Sequence, residues 1–359
     1  MQVWRSLDDV PAPTPRPRTP GRTRDGSAVV TFGTFDGVHR GHASVLSAVV
    51  GAARERGLRS AAVTFDPHPL AVLRPDVAPV PLVTAPRRLE LLAGVGLDAV
   101  LQLRFTHELA AQDARWFVEE VLVGALDAAV VVVGDDARFG KANEGDLTLL
   151  RRLGDELGVE VVGLGRGDAP ATWSSSWVRS AVAAGDVAGA AEVLGHPHRV
   201  EGVVVHGDHR GRELGYPTAN LGDITVAVPA DGVYAARMLR LDPPAGTPPE
   251  DVDLPAAVSI GTNPTFDGVR RQVEAHALGR TDLDLYTEHV ALDFVERLRP
   301  TLRFDSVGEL LDQMALDTAR CAVVLRAGNL GGAVRSAAEP ESPGGPAPER
   351  RATTTTEEP

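Results

Sequence analysis

Apolar runs alternate with amphipathic stretches along the first half of the chain. The runs are rich in β-branched residues and cover AVVTFG (28–33), SAAVTF (60–65), DAVLQL (98–103), AAVVVVG (128–134) and VEVVGL (159–164). Helical spacing of apolar positions separates them over residues 42–56, 86–93, 113–123 and 145–157. Buried strands that alternate with helices are typical of a parallel sheet covered on both faces. The pattern therefore predicts an α/β domain with a doubly wound parallel sheet over residues 27–185.

The pattern changes near residue 185. Short runs punctuated by glycine and proline follow, namely RVEGVVVHG (199–207), ITVAVP (224–229), GVYAARMLRL (232–241), AAVSIG (256–261) and RQVEAHAL (271–278). The proline-rich stretch 241–255 predicts an exposed hairpin loop, and residues 306–325 have the spacing of an amphipathic helix. Short, regularly spaced strands favour a small antiparallel β-barrel. We expect a second domain over residues 186–328, a barrel with a C-terminal helix.

Both ends of the 359-residue chain have low-complexity compositions that cannot bury a core. Proline and arginine dominate residues 11–25, and proline, serine, threonine and glutamate dominate residues 336–359. We therefore expect a flexible segment over residues 1–26 and a disordered tail over residues 329–359.

Charge and cysteine content narrow the functional classes. A formal net charge of −13 argues against general binding to nucleic acid, because phosphate backbones need a basic surface. Cys321 is the single cysteine, and no apolar run reaches the roughly 18 residues needed to cross a bilayer. The N-terminus has no apolar core of a secretory signal. These features predict a cytoplasmic protein with no membrane contact, and they leave protein partners and formation of a homo-oligomer open.

The turn GTFDGVHRGH (33–42) sets His39 and His42 three residues apart among Gly33, Gly37 and Gly41. A glycine-rich turn from a strand to a helix lets the backbone approach a ligand, and the free N–H groups of the helix start favour an anion. Two imidazoles at this spacing would face one phosphate and stabilise charge that develops on it. Two alternatives remain, a capping pair on a tight turn and a zinc site, although no cysteine or third histidine at ligand spacing accompanies the pair.

Other polar motifs follow the predicted strands. They are FDPHP (65–69), GDDARFGKANEGD (134–146) and SSSWVR (174–179). Ligands of doubly wound sheets bind at the carboxyl ends of the strands, which is where these motifs fall. Alone, Asp66 is more often a turn carboxylate and Arg179 more often a solvated helix charge. Their shared placement favours a common site.

The second half of the chain carries a different candidate phosphate-binding motif. The stretch GVVVHGDHRGRELGYPTANL (202–221) combines a glycine- and arginine-rich loop with a threonine and an asparagine two residues apart. On a strand, Thr218 and Asn220 would point to one face and offer the oxygen ligands that Mg²⁺ prefers. The loop lacks the G-K-S/T ending of a Walker A motif. The alternative is a glycine-rich hairpin with a capping threonine. The candidate phosphate-binding residues of the loop are Gly207, Arg210, Gly211 and Gly215.

Glu274 lies inside an otherwise apolar predicted strand. One interpretation is an ion pair with Arg271 or Arg237, since half-buried carboxylates are usually paired. The other is a general base that takes the proton of an alcohol within hydrogen-bonding reach.

These motifs together resemble the prokaryotic bifunctional riboflavin kinase/FAD synthetase family. The histidine turn, FDPHP, GDDARFGK (134–141) and SSSWVR look like its adenylyltransferase half, and more broadly like the H-x-G-H nucleotidyltransferases. PTAN (217–220), GVYA (232–235), SIGTNPTF (259–266), VEAH (273–276) and DLY (284–286) look like its riboflavin kinase domain. The resemblance covers residues 27–328 and implies a six-stranded barrel. It also implies two reactions, phosphorylation of riboflavin to FMN by the second domain and adenylylation of FMN to FAD by the first, which releases pyrophosphate.

The resemblance assigns roles to individual residues. His39 and His42 would bind the phosphates of ATP and the transition state of adenylyl transfer. Thr218 and Asn220 would hold Mg²⁺ with ATP, and Glu274 would deprotonate the terminal ribityl hydroxyl. The implied ATP-binding residues of the first domain are Gly33, Phe35, Asp36, Gly37, Gly41, Ser174, Ser175, Ser176 and Arg179. The implied flavin-binding residues are Asp66, Pro67, His68, Asp136 and Phe139. ATP is the co-substrate, and FMN and FAD are product ligands.

The chain departs from the family pattern at four positions. Ala137 replaces the usual phenylalanine, Trp177 a smaller residue or an arginine, and His196 and His198 an arginine and an aromatic residue. The first two motivate an alternative, a riboflavin kinase with an impaired nucleotidyltransferase domain. Two further alternatives are a non-catalytic flavin carrier and a nucleotidyltransferase that acts on another phosphate.

Overall fold

A six-stranded parallel sheet with helices on both faces forms the first domain. The computed structural model describes residues 1–11, 27–165, 173–207, 215–265 and 268–335. The strands are β1 Gln2–Trp4, β2 Ala28–Phe32, β3 Arg59–Asp66, β4 Ala99–Arg104, β5 Ala128–Gly134 and β6 Glu160–Leu164. The helices are α1 Arg40–Arg56, α2 Pro69–Leu73, α3 Ala85–Val95, α4 His107–Ala110, α5 Ala114–Trp116 with a π-helical continuation Phe117–Ala125, α6 Leu147–Leu157 and α7 Ser175–Ala184. The doubly wound α/β class is confirmed, as are its five predicted strands and four predicted helices.

The strand order places the carboxyl end of β2 at the centre of the sheet. All neighbours pair in parallel in the order β1-β4-β3-β2-β5-β6. After β4 the chain crosses back over β2 to build β5 and β6 on its other side. A crevice opens where the order reverses, and ligands bind there in sheets of this kind. The histidine turn, which follows β2, lies beside that crevice.

The first residues do not form a flexible segment, so the prediction for residues 1–26 is wrong at its start. Residues 2–4 form β1, which pairs in parallel with residues 99–101 of β4. Trp4 is 4% exposed, and the guanidinium of Arg59 lies 5.1 Å from its ring centroid. A three-residue strand is too short to show periodicity in the sequence, and its stability comes from the sheet edge that it covers.

The second domain is a closed antiparallel barrel. Its strands are β7 His198–Val205, β8 Ala219–Gly222, β9 Gly232–Arg240, β10 Asp253–Thr265, β11 Gly268–Ala277 and β12 His289–Arg299, in the order β10-β11-β8-β7-β12-β9. Helix α8 Val187–Leu194 precedes the barrel, and α9 Val307–Arg335 follows it. The barrel with a C-terminal helix is confirmed, and the predicted hairpin loop connects the paired strands β9 and β10. Helix α9 continues past residue 328, where we expected the domain to end.

Two elements of the barrel differ from the sequence prediction. Residues 224–229, predicted as a strand, form none, because Ala227 donates its backbone N–H to Pro81 O of the first domain, 2.8 Å away. β12 was not predicted, since its register shifts at Phe294 and Glu296 break the alternation of apolar and polar positions. Within the described ranges, no helix is long and apolar enough to cross a membrane.

An apolar cluster joins the two domains. Helices α7 and α8 lie side by side, and their residues Val182 and Leu194 are buried with Leu82 of the first domain. Trp177 packs against the same cluster, so the large side chain that departs from the family pattern fills space at the junction. His196 adds a polar contact there, because its Nε2 hydrogen-bonds to the carbonyl oxygen of Gly37 at 2.9 Å.

His198 is a buried histidine at the same junction. It is 1% exposed, its Nε2 donates to Ala227 O at 2.7 Å, and its Nδ1 has no hydrogen-bond partner in the described structure. Burial lowers the pKa of His198 from 6.5 to about 4. Since the unfolded chain takes up a proton at this position below pH 6.5 and the folded chain does not until about pH 4, acid destabilises the fold through this residue.

His198→Gln is expected to make the stability of the protein less dependent on pH. Between about pH 6 and pH 4.5, His198 contributes a slope of about 1.4 kcal/mol per pH unit to the unfolding free energy, which increases with pH. Glutamine keeps an N–H donor and does not titrate. Urea unfolding at several pH values measures the slope, with His107→Gln at an exposed position as the matched control. Equal slopes in His198→Gln and the wild type would contradict a buried neutral histidine.

Candidate functional sites

The histidine turn has a fixed, unusual backbone. Phe35, Gly37 and Val38 have φ angles of 47°, 81° and 40°. Phenylalanine and valine rarely adopt this region, and such strain is maintained only where the surroundings impose it. The side chains of Phe35 and Val38 are 3% and 4% exposed and anchor the turn in the core beneath it. The turn therefore presents the residues that follow it in one defined arrangement.

The two histidine rings are stacked at the start of α1. Their centroids are 3.7 Å apart with an angle of 18° between the planes. His39 is the N-cap, and its Nδ1 accepts a hydrogen bond from the backbone N–H of His42 at 3.3 Å. The capping interpretation is therefore correct for His39. Since Nδ1 is an acceptor, the proton of a neutral His39 ring is on Nε2.

His42 is neutral near pH 7. Burial, and secondarily the neighbouring His39, holds the pKa of His42 well below 6.5. Its Nδ1 is buried and has no hydrogen-bond partner among the described residues.

Gly41 lies close to the ring stack. A Cβ at Gly41 would lie 3.1 Å from the His39 ring and 3.3 Å from Trp173 O. Glycine at position 41 therefore allows the ring stack to sit closely against the chain.

Asp36 fastens the turn to α7. It is 3% exposed, accepts hydrogen bonds from Leu82 N at 3.0 and 3.1 Å, and forms an ion pair with Arg179. Arg179 Nε donates to Val80 O, and Ser175 Oγ donates to Asp36 O, both at 2.8 Å. The structure thus brings together residues that we predicted to bind ATP.

The other two serines of SSSWVR have different surroundings. Ser174 is the N-cap of α7, and its Oγ accepts from Trp177 N at 3.2 Å. Ser176 is exposed. ATP binding by all three serines and by Arg179 stays a prediction.

The predicted flavin motif leaves the carboxyl end of β3. The Asp66–Pro67 peptide bond is cis, and His68 caps the short helix α2 through a hydrogen bond from Leu70 N at 3.1 Å. Burial lowers the pKa of His68, and Asp36 opposes that effect. Asp36 and His68 line one cavity, so the two predicted motifs meet at one edge of the sheet.

Arg88 is a functional candidate that sequence reasoning missed. It is 5% exposed, and burial lowers its pKa. Its guanidinium donates to Thr34 O at 3.2 Å, to Phe65 O at 2.9 Å and to Asp66 Oδ1 at 3.3 Å. It therefore ties the histidine turn to the flavin motif. An arginine in the first turn of a predicted helix carries no signal of this role, because all three partners lie over twenty residues away in sequence.

A cavity of about 300 Å³ opens between these motifs. Its walls include Asp36, Asp66, His68 and Arg88 of the first domain and Thr225 of the second. Ligand pockets for small molecules begin at about this volume. The cavity combines a buried cation, an imidazole and carboxylates beside the crevice of the sheet.

The motif after β5 divides between surface and core. Asp136 is exposed. The ring of Phe139 is 6% exposed and packs against Phe32 and Phe117, with centroids 5.3 and 5.9 Å apart. Ala137 packs against the same apolar cluster. Contact between Phe139 and a flavin stays a prediction, and the structure gives its ring a packing role beneath the strand ends.

In the barrel, Glu274 and Asn220 are direct neighbours across β11 and β8. Paired residues of antiparallel strands point to one face, with Cβ atoms about 5 Å apart. The adjacent pair, Ala219 and Ala275, is buried in the barrel core, so Asn220 and Glu274 face outward. Thr218 precedes β8 and lines a pocket with Asn220. The predicted metal ligands and the predicted base are therefore close together.

The loop that follows β7 approaches the same face. A Cβ at Gly207 would lie 2.3 Å from the amide nitrogen of Asn220, so a larger residue would displace the Asn220 side chain. Gly215, at the other end, has a φ of 83°. Arg210 and Gly211 lie outside the described residues.

Both arginines suggested as ion-pair partners of Glu274 form ion pairs with other carboxylates. Arg271 forms an ion pair with Asp231 at 3.0 Å, and Arg237 forms one with Asp253 at 2.7 Å. Among the described residues, no group of three or more histidine, cysteine or acidic side chains is placed to hold a metal ion. The hydroxyl and amide oxygens of Thr218 and Asn220 suit Mg²⁺, which is usually bound by few protein ligands together with substrate phosphates.

Comparisons with known proteins agree with this two-domain arrangement. The family model described as FAD synthetase matches residues 22–172, and the model described as riboflavin kinase matches residues 194–325. The first range falls on the parallel-sheet domain and the second on the barrel.

Several relatives span nearly the same length. A bifunctional riboflavin kinase/FMN adenylyltransferase of Escherichia coli K12 is 40% identical over 290 residues, which cover 80% of this chain and 90% of that protein. A namesake from Pseudomonas fluorescens is 35% identical over 331 residues, 89% of this chain and 96% of that protein. A solved structure from Streptococcus pneumoniae, described as a macrolide-efflux protein, is 29% identical with a TM-score of 0.72 and covers 88% of this chain and 96% of that one.

Proposed function

The chain belongs to the bifunctional riboflavin kinase/FMN adenylyltransferase family, and from that premise we propose which residues carry its two reactions. The barrel domain phosphorylates riboflavin to FMN with ATP, and the parallel-sheet domain adenylylates FMN to FAD and releases pyrophosphate. A kinase with an impaired first domain is not favoured, because the FAD synthetase model matches that domain as well.

We assign adenylyl transfer to the histidine turn. An oxygen of the FMN phosphate attacks the α-phosphorus of ATP, and the bond from that phosphorus to the pyrophosphate oxygen breaks. His39 and His42 donate hydrogen bonds to the phosphate oxygens on which charge develops, and the N–H groups at the start of α1 add to this stabilisation. The ring stack beside the crevice of the sheet is the observation that carries the assignment. Catalysis then consists of positioning and electrostatics without a covalent intermediate.

The cavity beside the turn binds FMN in this proposal. Asp66, Pro67 and His68 contact the flavin, and Arg88 holds the two motifs at a constant distance through its three hydrogen bonds. Supporting this placement, Asp36 of the histidine turn and Asp66 and His68 of the flavin motif line the same cavity. The glycines of the turn, with Phe35, Asp36 and the serines of α7, surround ATP.

We assign phosphoryl transfer to the outer face of the barrel. Glu274 accepts the proton of the terminal ribityl hydroxyl while that oxygen attacks the γ-phosphorus of ATP and ADP leaves. Thr218 and Asn220 would hold Mg²⁺, which neutralises phosphate charge when it is bound with ATP. The cross-strand pairing of Glu274 with Asn220 supports this assignment, because it sets the base beside the metal ligands.

Product analysis tests the two assignments together. Purified protein receives ATP with riboflavin in one tube and with FMN in another, each with Mg²⁺ and with a chelator in place of Mg²⁺, and chromatography separates FMN and FAD. We expect FMN in the first tube, FAD in the second, and neither product with the chelator. Conversion of riboflavin while supplied FMN is untouched would refute adenylyl transfer at the histidine turn. Formation of FMN from riboflavin in chelator would refute the role of Thr218 and Asn220.

We place the enzyme in the cytoplasm as a protein of small-molecule substrates. Cys321 is fully buried, its thiol donates to Ala256 O, and burial raises its pKa to about 11, so it is an unreactive free thiol. A chain whose single cysteine is a free thiol fits a reducing compartment. The net charge of −13 supports small molecules as the substrates, since it disfavours nucleic acid as a partner.

A further inference from the structure

Residues 223–231, which connect β8 to β9, reach from the barrel to the parallel-sheet domain, and we call them the interdomain segment. Ala227 N donates to Pro81 O at 2.8 Å, and Ala230 N donates to Val182 O of α7 at 3.2 Å. Val226 is 4% exposed and packs in the barrel core. Val226 therefore contacts the barrel, and the backbone of Ala227 and Ala230 contacts the first domain. Because these backbone N–H groups bond to the first domain, the apolar stretch forms no strand of the barrel.

The barrel holds the same segment from the other side. His198 donates to Ala227 O at 2.7 Å. Arg271 forms an ion pair with Asp231 at 3.0 Å and donates to the carbonyl oxygen of Pro229. Arg297 also donates to Asp231 O at 2.5 Å. These contacts fix the segment at its middle and at its end, so that its position relative to the first domain is defined.

The interdomain segment borders the cavity of the first domain. Thr225 is exposed and lines that cavity together with Asp66, His68 and Arg88. Thr84, which also lines the cavity, connects the two domains, because its Oγ1 donates a hydrogen bond to Glu201 Oε2 at 2.7 Å. The kinase domain thus supplies part of the surface of a cavity whose other walls belong to the adenylyltransferase domain.

We propose that Thr225 is a flavin-positioning residue of the adenylyltransferase site, which the kinase domain of the same chain completes. The side chain of threonine offers a hydroxyl to a polar edge of the flavin and a methyl group to its apolar part. This inference rests on the proposed binding of FMN in the cavity. It adds a determinant of FMN affinity that lies outside the FAD synthetase match over residues 22–172.

Three matched substitutions in the full chain test the proposal. Thr225→Phe fills the cavity from the kinase domain, and Ala85→Phe fills it from the adenylyltransferase domain, since Ala85 also lines it. Thr301→Phe places the same ring at an exposed position of the barrel domain. Each variant is titrated with FMN, and the KM for FMN in FAD formation and the rate of FMN formation from riboflavin are measured. Thr225→Ser is the conservative variant, since it keeps the hydroxyl.

We expect Thr225→Phe and Ala85→Phe to raise the dissociation constant and the KM for FMN at least about tenfold, with riboflavin phosphorylation unchanged. Thr301→Phe should match the wild type, and Thr225→Ser should stay within about threefold of it. Weaker FMN binding in Ala85→Phe alone would overturn the role of Thr225 and leave the flavin cavity in place. Unchanged binding in both would refute the flavin cavity itself. Equal loss of both activities in Thr225→Phe would overturn the proposal in favour of a purely structural segment.

Discussion

His42→Ala is expected to lower the rate of FAD formation from supplied FMN by about 10²- to 10⁴-fold, the range seen when a group that stabilises transition-state charge is removed. In the proposed mechanism the neutral imidazole of His42 donates one N–H to the phosphate, and its stack with His39 sets the direction of that donor. Alanine removes this oriented N–H donor, and water takes its place. FMN formation from riboflavin should remain within about twofold of the wild type, because the barrel does not use this residue.

The measurement is the steady-state rate with each flavin substrate. His107→Ala, at an exposed position, is the control for a general effect of removing an imidazole. His42→Gln keeps an N–H donor, so it should recover part of the lost kcat. A variant in which both activities fall together, with the fold intact by circular dichroism, would be incompatible with two independent sites.

Glu274→Gln is expected to have the reciprocal effect. FMN formation from riboflavin should fall by about 10²- to 10⁴-fold, since glutamine has the same shape and cannot accept the hydroxyl proton. FAD formation from supplied FMN should persist. The loss should appear in kcat, and the KM for ATP should change little, because Thr218 and Asn220 are still present beside the substituted residue.

Glu250→Gln provides the matched control for that variant, since Glu250 is exposed in the loop between β9 and β10. A large rise in the KM for ATP with an unchanged kcat would assign Glu274 to binding of the metal and nucleotide. Full activity of Glu274→Gln would rule out a general base at this position.

The departures from the family pattern lie mostly at the junction of the domains. Trp177 fills the apolar cluster between them, and His196 and His198 hydrogen-bond to carbonyl oxygens at 2.9 and 2.7 Å. Gly37, the partner of His196, belongs to the histidine turn. These substitutions therefore change how the barrel contacts the adenylyltransferase site, and they leave the histidine pair and Glu274 in place.

The amino-acid sequence alone determined the elements whose pattern lies within a few consecutive residues. The alternation of apolar runs and helices specifies the parallel sheet, because each strand is buried on both faces. The glycines of the histidine turn mark the backbone conformation that Gly37 adopts at a φ of 81°. The two-residue spacing of Thr218 and Asn220 predicted a shared face, and both line one pocket. The histidine pair was placed at a strand end.

Tertiary structure alone decided the features that depend on distant partners. β1 exists because the edge of β4 accepts it, and residues 224–229 form no strand because the backbone N–H of Ala227 donates to Pro81 O. Arg88 contacts carbonyl oxygens of two other segments, and Thr225 reaches the cavity of the first domain only through the packing of the domains. Periodicity and motif spacing report on neighbours along the chain. Contacts between domains depend on surfaces that do not exist until both domains have folded.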